Sequence, residues 1–169
     1  MRLQRENQLL LVTLNLLESR LLHRVFQQLT AHYRLKPSEI DPKIATAWYS
    51  TRGCVAAKMS EEETGEWLEH LHALKSAGLQ RLEEWTKQLS HVQLAQAHLH
   101  VQVNDAAAFV TALNDHRLMT AARHHIGQEQ MDLHSPLQLV KLPLAQQEAL
   151  MEIHFLAWII EETLRALQE

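Results

Sequence analysis

A short β-like run that leads directly into a helix start occurs three times in this chain, and this feature constrains the fold most. The runs are Leu10–Leu14, Leu99–Val103 and Leu139–Leu142. Asn15 and Asn104 follow the first two runs as helix N-caps, and a proline follows the third run near the first helical turn. Each of the three joints therefore predicts a strand followed by an amphipathic helix.

Two further helices are predicted between the first two joints. Asp41 and the proline after it open a short helix that ends near Ser50, and Ser60 caps a long helix that runs to about Leu89. The apolar stripe of the long helix includes Trp67, Leu71, Leu74, Leu82 and Trp85. Such a stripe is typical of a helix that packs on a core.

These elements predict a mainly α protein of the α+β type. We expect a single helical domain over residues 1–169, with about five helices and a small sheet of two or three short strands. Hydrophobic residues make up 46% of the chain, and it contains only four glycines and four prolines. This composition argues against disorder and for a compact core.

Charge and cysteine content narrow the classes of function. The formal net charge is −4, with no basic stretch, so direct binding to nucleic acid is not expected. No apolar run approaches the ~18 residues of a membrane span. Cys54 is the single cysteine, which rules out a disulfide within the chain and fits a reducing compartment. We therefore expect a cytoplasmic protein without a membrane segment.

The helix after the second strand carries a polar run at its centre, from Asn114 to Arg117. At 100° per residue, Arg117 falls within the apolar arc, one heptad after Val110, and His124 follows one heptad later. Asn114 lies on the flank of this arc, and Asp115 points to the opposite side. The pattern predicts that Arg117 faces the core.

A guanidinium among apolar neighbours needs a carboxylate partner. Glu162 lies on an apolar stripe of the last helix and Glu18 on that of the first, so Arg117 is predicted to pair with Glu162, or alternatively with Glu18. The expected buried polar cluster consists of these three residues with Asn114 and His124. It is either a structural ion pair or, with Arg117, Asn114 and His124, the lining of an anion pocket.

The same stretch carries a family resemblance. Residues 112–118 read ALNDHRL, and Arg123 and an Ile-Gly pair follow. This pattern resembles the ALND-x-RL signature of a bacterial family, domain of unknown function 2017. The residues that match its motifs are Asn114, Asp115, Arg117, Arg123 and Glu162. The resemblance implies a bacterial, cytoplasmic protein without an established activity.

Other chemistries have weaker signals. His98 and His100 are two residues apart on a predicted strand and could share a metal, but no third or fourth ligand is apparent, so neither a metal nor a cofactor is expected. Cys54 has Arg52 and Lys58 nearby, which favours a reactive thiolate, although a lone cysteine is commonly a small buried hydrophobe.

The function expected from these patterns is a non-enzymatic regulatory or protein-interaction domain that binds a protein partner. The alternative is a small-molecule or anion binder, or an enzyme, that uses a pocket around Arg117, Asn114 and His124. A redox regulator that uses Cys54 between chains is a third hypothesis, and self-association into a homo-oligomer stays open.

Overall fold

The computed structural model describes residues 1–90, 96–133 and 136–168. Its strands are β1 (Arg2–Glu6), β2 (Leu9–Asn15) and β3 (Gln96–Gln102). Its helices are α1 (Leu16–Tyr33), α2 (Pro42–Trp48), α3 (Arg52–Ala56), α4 (Glu61–Ser76), α5 (Leu79–Leu89), α6 (Ala106–His124), α7 (Gln128–Met131), α8 (Pro136–Leu139) and α9 (Leu144–Gln168). The predicted fold class, mainly α with a small sheet, is confirmed.

The three strands form one antiparallel sheet with β2 in the centre. Side chains on β2 and β3 alternate between the core and the outer face, as the period of two requires. Leu10 and Val12 of β2 and Leu99 and Val101 of β3 have no exposed surface. The first two predicted strands are therefore confirmed, and they supply one layer of the core.

The third predicted strand, Leu139–Leu142, is wrong. Leu139 is the last residue of α8, and the residues after it turn into α9. A short apolar run has the same pattern in a strand and in a helical turn, so periodicity could not separate the two. The third strand of the sheet is instead β1, a largely polar edge strand. The chain turns from β1 into β2 through Asn7, which has a φ of 57°. Asparagine adopts this left-handed conformation more readily than most residues.

Side-chain caps fix most of the predicted helix starts. The Asn15 side chain accepts hydrogen bonds from the backbone of α1, and Glu18 completes the capping box. Asp41 and Ser60 cap α2 and α4 as predicted. The prediction for Asn104 is wrong, because residues 103–105 form a 3-10 turn before α6.

The long helix predicted to end near Leu89 is divided at Ala77 and Gly78 into α4 and α5. Helix α5 buries Leu82 and Trp85, as its apolar stripe predicts. Helix α4 has no fully buried residue: Leu71 packs against the core as predicted, whereas Trp67 and Leu74 are 41% and 60% exposed, so the prediction is wrong for these two. Because of this break, α5 packs against the core, while α4 lies on the surface of the protein.

Helix α6 has neighbours on more than one side. It packs against α9 along one side and against α1 and α2 on another. Phe109 of α6 meets Phe26 of α1 and Trp85 of α5, with ring centroids 5.3–6.2 Å apart. Because several faces of α6 are covered, polar side chains at its centre can be buried in different directions. None of the helices in the described ranges is both long enough and apolar enough to cross a bilayer.

Candidate functional site

Asp115, at the centre of α6, is the meeting point of four helices. The Tyr33 hydroxyl of α1 donates to its Oδ2 at 2.6 Å, and Lys75 Nζ of α4 lies 2.5 Å from the same oxygen. The indole Nε1 of Trp48, at the end of α2, donates to the backbone carbonyl of Asp115 at 2.8 Å. We call Tyr33, Trp48, Lys75 and Asp115 the Asp115 cluster.

The charged atoms of this cluster lie among aromatic rings. Lys75 Nζ is 5.3 Å from the ring centroid of Trp48 and 5.9 Å from that of Tyr49, both within cation–π range. The Lys75 side chain is 13% exposed and that of Asp115 is 6% exposed. Burial, and then the charge of Asp115, raise the pKa of Tyr33 and of Tyr49, so the Tyr33 phenol stays a neutral donor to the carboxylate.

Two cavities border helix α4. A groove of about 840 Å³ runs between α2 and α4, with Ala45, Tyr49 and Leu68 among its lining residues. A second cavity of about 450 Å³ lies between α4, α5 and α6, and Trp48 and Lys75 themselves line it. Both volumes fall in the range of ligand sites.

A second polar cluster lies on the α9 side of α6. The Glu152 carboxylate of α9 is 2.7 Å from His116 Nε2 and 2.6 Å from the Arg24 guanidinium, and it accepts from the Thr120 hydroxyl at 3.1 Å. Burial opposes ionisation of Glu152, but the hydrogen bond and charge of His116, helped by Thr120 and Arg24, lower its pKa to about 2. We call Arg24, His116, Thr120 and Glu152 the Glu152 cluster.

The Glu152 cluster borders a cavity of about 210 Å³. Arg123, His124 and Glu148 also line this cavity, so its lining carries charges of both signs. The volume is below the usual range for ligand sites. His116 is 1% exposed, and its pairing with a charged acceptor indicates that the cluster fastens α9 to α6.

A family model described as domain of unknown function (DUF2017) matches residues 67–167 of the chain. This span covers more than half of the 169 residues, from α4 to the end of α9. The chain belongs to the DUF2017 family. No curated protein and no solved structure matches the chain.

The span that matches DUF2017 contains Lys75, Asp115 and Glu152, whereas Tyr33 and Trp48 lie before it. The acid at the centre of α6 and its lysine partner thus belong to the region that defines the family. The aromatic partners come from the N-terminal part of this chain.

The predicted ion pair of Arg117 with Glu162 or Glu18 is wrong. Arg117 is half-buried and donates to Asn114 on its own helix at 3.4 Å. Glu162 pairs with Arg165, 2.6 Å away, and Glu18 pairs with the N-terminal amino group of Met1 at 3.0 Å. Burial lowers the pKa of Arg117, and the charge of Glu161 partly offsets this effect.

The wrong assumption concerned which face of α6 is the core face. Asp115, placed away from the apolar arc, is 4% exposed, whereas Asn114 is exposed and Arg117 is half-buried. A helix with neighbours on several sides can bury residues outside its apolar arc. Helical periodicity alone therefore could not place Asp115.

Arg117→Met is consequently expected to leave the free energy of unfolding unchanged within about 1 kcal/mol. The substitution removes a half-buried guanidinium whose Nε is buried and has no hydrogen-bond partner among the described residues, and it keeps the apolar stem. Urea unfolding measures the change in the free energy of unfolding. Arg24→Met is the matched comparison, because it removes an arginine that contacts the Glu152 carboxylate. A loss of several kcal/mol would show that Arg117 has a buried carboxylate partner after all.

The expected pocket around Arg117, Asn114 and His124 is not assembled. Arg117 and Asn114 bond to each other, whereas His124 lines the 210 Å³ cavity beside Arg123. Arg123 is exposed and lies 2.8 Å from His32 Nε2. Among the five residues matched to the family motif, Asp115 is buried, whereas Asn114 and Arg123 are exposed and Arg117 and Glu162 are half-buried.

The redox and metal candidates occupy ordinary positions. Cys54 is 4% exposed on α3, which leaves its thiol little contact with solvent. His98 and His100 share the outer face of β3, and His98 Nδ1 lies 3.3 Å from the Thr13 hydroxyl. In the part of the chain that the structure describes, no group of three or more His, Cys, Asp or Glu side chains could hold a metal ion.

Sequence reasoning missed Tyr33, Trp48, Lys75, His116 and Glu152. One of them had a readable signal, because Glu152 lies on α9 between the buried residues Ala149 and Leu156. A carboxylate at an apolar-stripe position was the criterion that selected Glu162, and it applies equally to Glu152. Tyr33, Trp48 and Lys75 meet Asp115 only through the packing of α1, α2 and α4 on α6, and His116 meets Glu152 only through the packing of α9 on α6.

Proposed function

We propose that this protein acts without catalysis, by binding a segment of another protein in the groove between α2 and α4. The groove carries the proposal, because about 840 Å³ of open volume has a mainly apolar surface, although polar residues such as Ser38, Thr46 and Thr51 also line it. Pro37, Ala45 of α2 and Leu68 of α4 line the groove, and so does the buried Tyr49, whose hydroxyl lies 3.4 Å from His72 Nδ1. Several apolar side chains of a partner fit this volume.

The charge around the groove favours a basic partner. The first turns of α4 carry exposed glutamates, namely Glu61, Glu62, Glu63, Glu66 and Glu69. Glu69 and Lys36 both line the groove itself, and the whole chain has a formal charge of −4. A basic amphipathic segment would place its apolar face in the groove and its cations against α4.

A regulatory role in the bacterial cytosol is the setting that we propose for this binding. The ALND-x-RL resemblance supports a bacterial protein, and the single buried cysteine agrees with a reducing compartment. Helix α4 forms one wall of the groove, and polar contacts of His72, Lys75 and Ser76 near its C-terminal end join it to the rest of the protein. A segment bound in the groove can therefore alter the position of this helix. Such a change could pass a binding event to the rest of the molecule.

The test uses a synthetic amphipathic helix of leucine and lysine and its counterpart with glutamate in place of lysine. The lysine peptide is expected to bind, and Ala45→Arg is expected to weaken this binding at least about tenfold, because it fills the groove and repels the cations. Ala107→Arg, at an exposed position on α6, is the matched control and should have little effect. Fluorescence anisotropy of labelled peptides measures the affinities.

Equal binding of the lysine and glutamate peptides would contradict the proposal. Equal effects of the two Ala→Arg substitutions would show that the peptide responds to total charge and not to the groove.

A further inference from the structure

The ammonium group of Lys75 has the surroundings that proteins use to bind cationic ligands. A carboxylate oxygen of Asp115 lies 2.5 Å away, and the rings of Trp48 and Tyr49 have their centroids 5.3 and 5.9 Å from Nζ. A carboxylate combined with aromatic faces is the combination that recognises organic ammonium ions. In this protein the Lys75 side chain occupies the position that such a ligand would take.

The two halves of this arrangement are held very differently. Asp115, Tyr33 and Trp48 are buried on α6, α1 and α2, and hydrogen bonds of 2.6 and 2.8 Å fix them to one another. Lys75 comes from α4, which has no buried residue. The nearby polar contacts of α4 are longer: Ser76 donates to the Tyr33 carbonyl at 3.3 Å. The receiving groups therefore belong to buried parts of their helices, whereas the lysine belongs to a helix on the surface.

Lys75 also lines a cavity. The 450 Å³ cavity is lined by Lys75 together with Trp48, Leu71, Trp85 and Ala112. Its walls are mainly apolar and aromatic, and its volume suits a small organic molecule. A ligand with its charge at Asp115 has space here for an apolar body.

We propose that the Asp115 cluster is a binding site for a primary amine with an apolar body, and that Lys75 occupies the site as an internal ligand. The ligand's ammonium ion would replace Lys75 Nζ at Asp115 Oδ2, and its body would enter the 450 Å³ cavity. The exchange keeps the buried carboxylate paired, which a neutral ligand cannot do. Lys75 is then released to water, where an ammonium ion is well solvated.

Release of Lys75 removes the ion pair between α4 and the core. Ligand binding is therefore expected to loosen α4, whereas α5 stays fixed by its buried Leu82, Trp85 and Leu89. The occupant is a small cation, so this inference stands whether or not the groove between α2 and α4 binds a protein.

The test titrates the wild-type protein with n-hexylamine, n-hexanol and hexanoate, which share an alkyl chain and differ in charge. Hexylamine is expected to bind at least about tenfold more tightly than the other two, because only its ammonium ion pairs with Asp115. The indole N–H resonance of Trp48 should shift and saturate with it. Amide exchange should accelerate in α4 and not in α5.

Substitutions of the internal ligand separate a binding site from a structural ion pair. Lys75→Gln removes the competing charge, so hexylamine should bind at least about tenfold more tightly than to the wild type. Lys87→Gln, at an exposed position on α5, should leave the affinity unchanged. In Asp115→Asn the preference for hexylamine over hexanol should disappear.

The proposal is overturned if hexylamine and hexanol bind the wild type with equal affinity, or if neither binds. This comparison needs no variant, so it decides the matter even if a substitution prevents folding. Tight binding of hexylamine that Lys75→Gln leaves unchanged would place the amine elsewhere and would also contradict the proposal. Peptide binding at the groove uses a different ligand and the Ala45→Arg variant, so the two proposals can fail separately.

Discussion

Asp115→Asn is expected to lower the free energy of unfolding by about 3 kcal/mol, because it removes one partner of a buried ion pair. The amide leaves the Lys75 ammonium without its counter-ion and weakens the acceptor that holds the Tyr33 hydroxyl at 2.6 Å. Urea unfolding at neutral pH measures the loss. Asn114→Ala, at the exposed neighbouring position, is the control and should change stability by less than about 0.5 kcal/mol.

The double substitution Asp115→Asn with Lys75→Met should recover part of this loss. It removes the second charge as well, so no unpaired ion remains in the cluster. If the two single substitutions and the double substitution have additive effects, Asp115 and Lys75 do not stabilise each other in the folded protein.

Glu152→Gln is expected to lower the free energy of unfolding by about 3 kcal/mol at pH 7, and this loss should disappear under acid conditions. The folded protein holds the pKa of Glu152 at about 2, below its ordinary value of 4.5. A pKa that is lower in the folded state stabilises the protein above the unfolded value, and this stabilisation is lost as pH falls from about 4.5 towards 2. At about 1.4 kcal/mol for each pH unit of that interval, the full contribution is about 3 kcal/mol.

The free energy of unfolding of the wild type and of Glu152→Gln, measured from pH 7 to pH 2, tests this expectation. The difference between the two curves reports on Glu152, since the other carboxyl groups titrate equally in both proteins. Glu148→Gln, exposed one turn earlier on α9, is the matched control and should follow the wild type. Parallel curves for the wild type and Glu152→Gln would mean that His116 and Arg24 do not stabilise the ionised carboxylate.

The two clusters differ in what they offer to a ligand. The Glu152 cluster borders a cavity of about 210 Å³ and joins α9 to α6, which suits a structural role. Three members of the Asp115 cluster, Tyr33, Trp48 and Lys75, line the cavity of about 450 Å³, and the lysine comes from a helix without buried residues. Binding is therefore expected at the Asp115 cluster, and resistance to unfolding should depend on both.

Local sequence was sufficient for much of the fold. The strands that contain Leu10 and Leu99 alternate as predicted, because one face of a strand must be apolar where it meets the core. The caps at Asn15 and Ser60 are confirmed, since a capping box needs only residues three positions apart. The failures at Leu139–Leu142 and at α4 arose where a short apolar pattern fits more than one structure.

The sequence by itself determined the helical class, the strands β2 and β3, most helix starts and the membership of Asp115 in a family motif. Only the tertiary structure decided that Asp115 is buried and meets Lys75, Tyr33 and Trp48, while Arg117 stays half-exposed. The physical reason is that periodicity fixes the angles between side chains on one helix, but not which neighbouring helices cover each face. A cluster built from four helices forms only when those helices pack together.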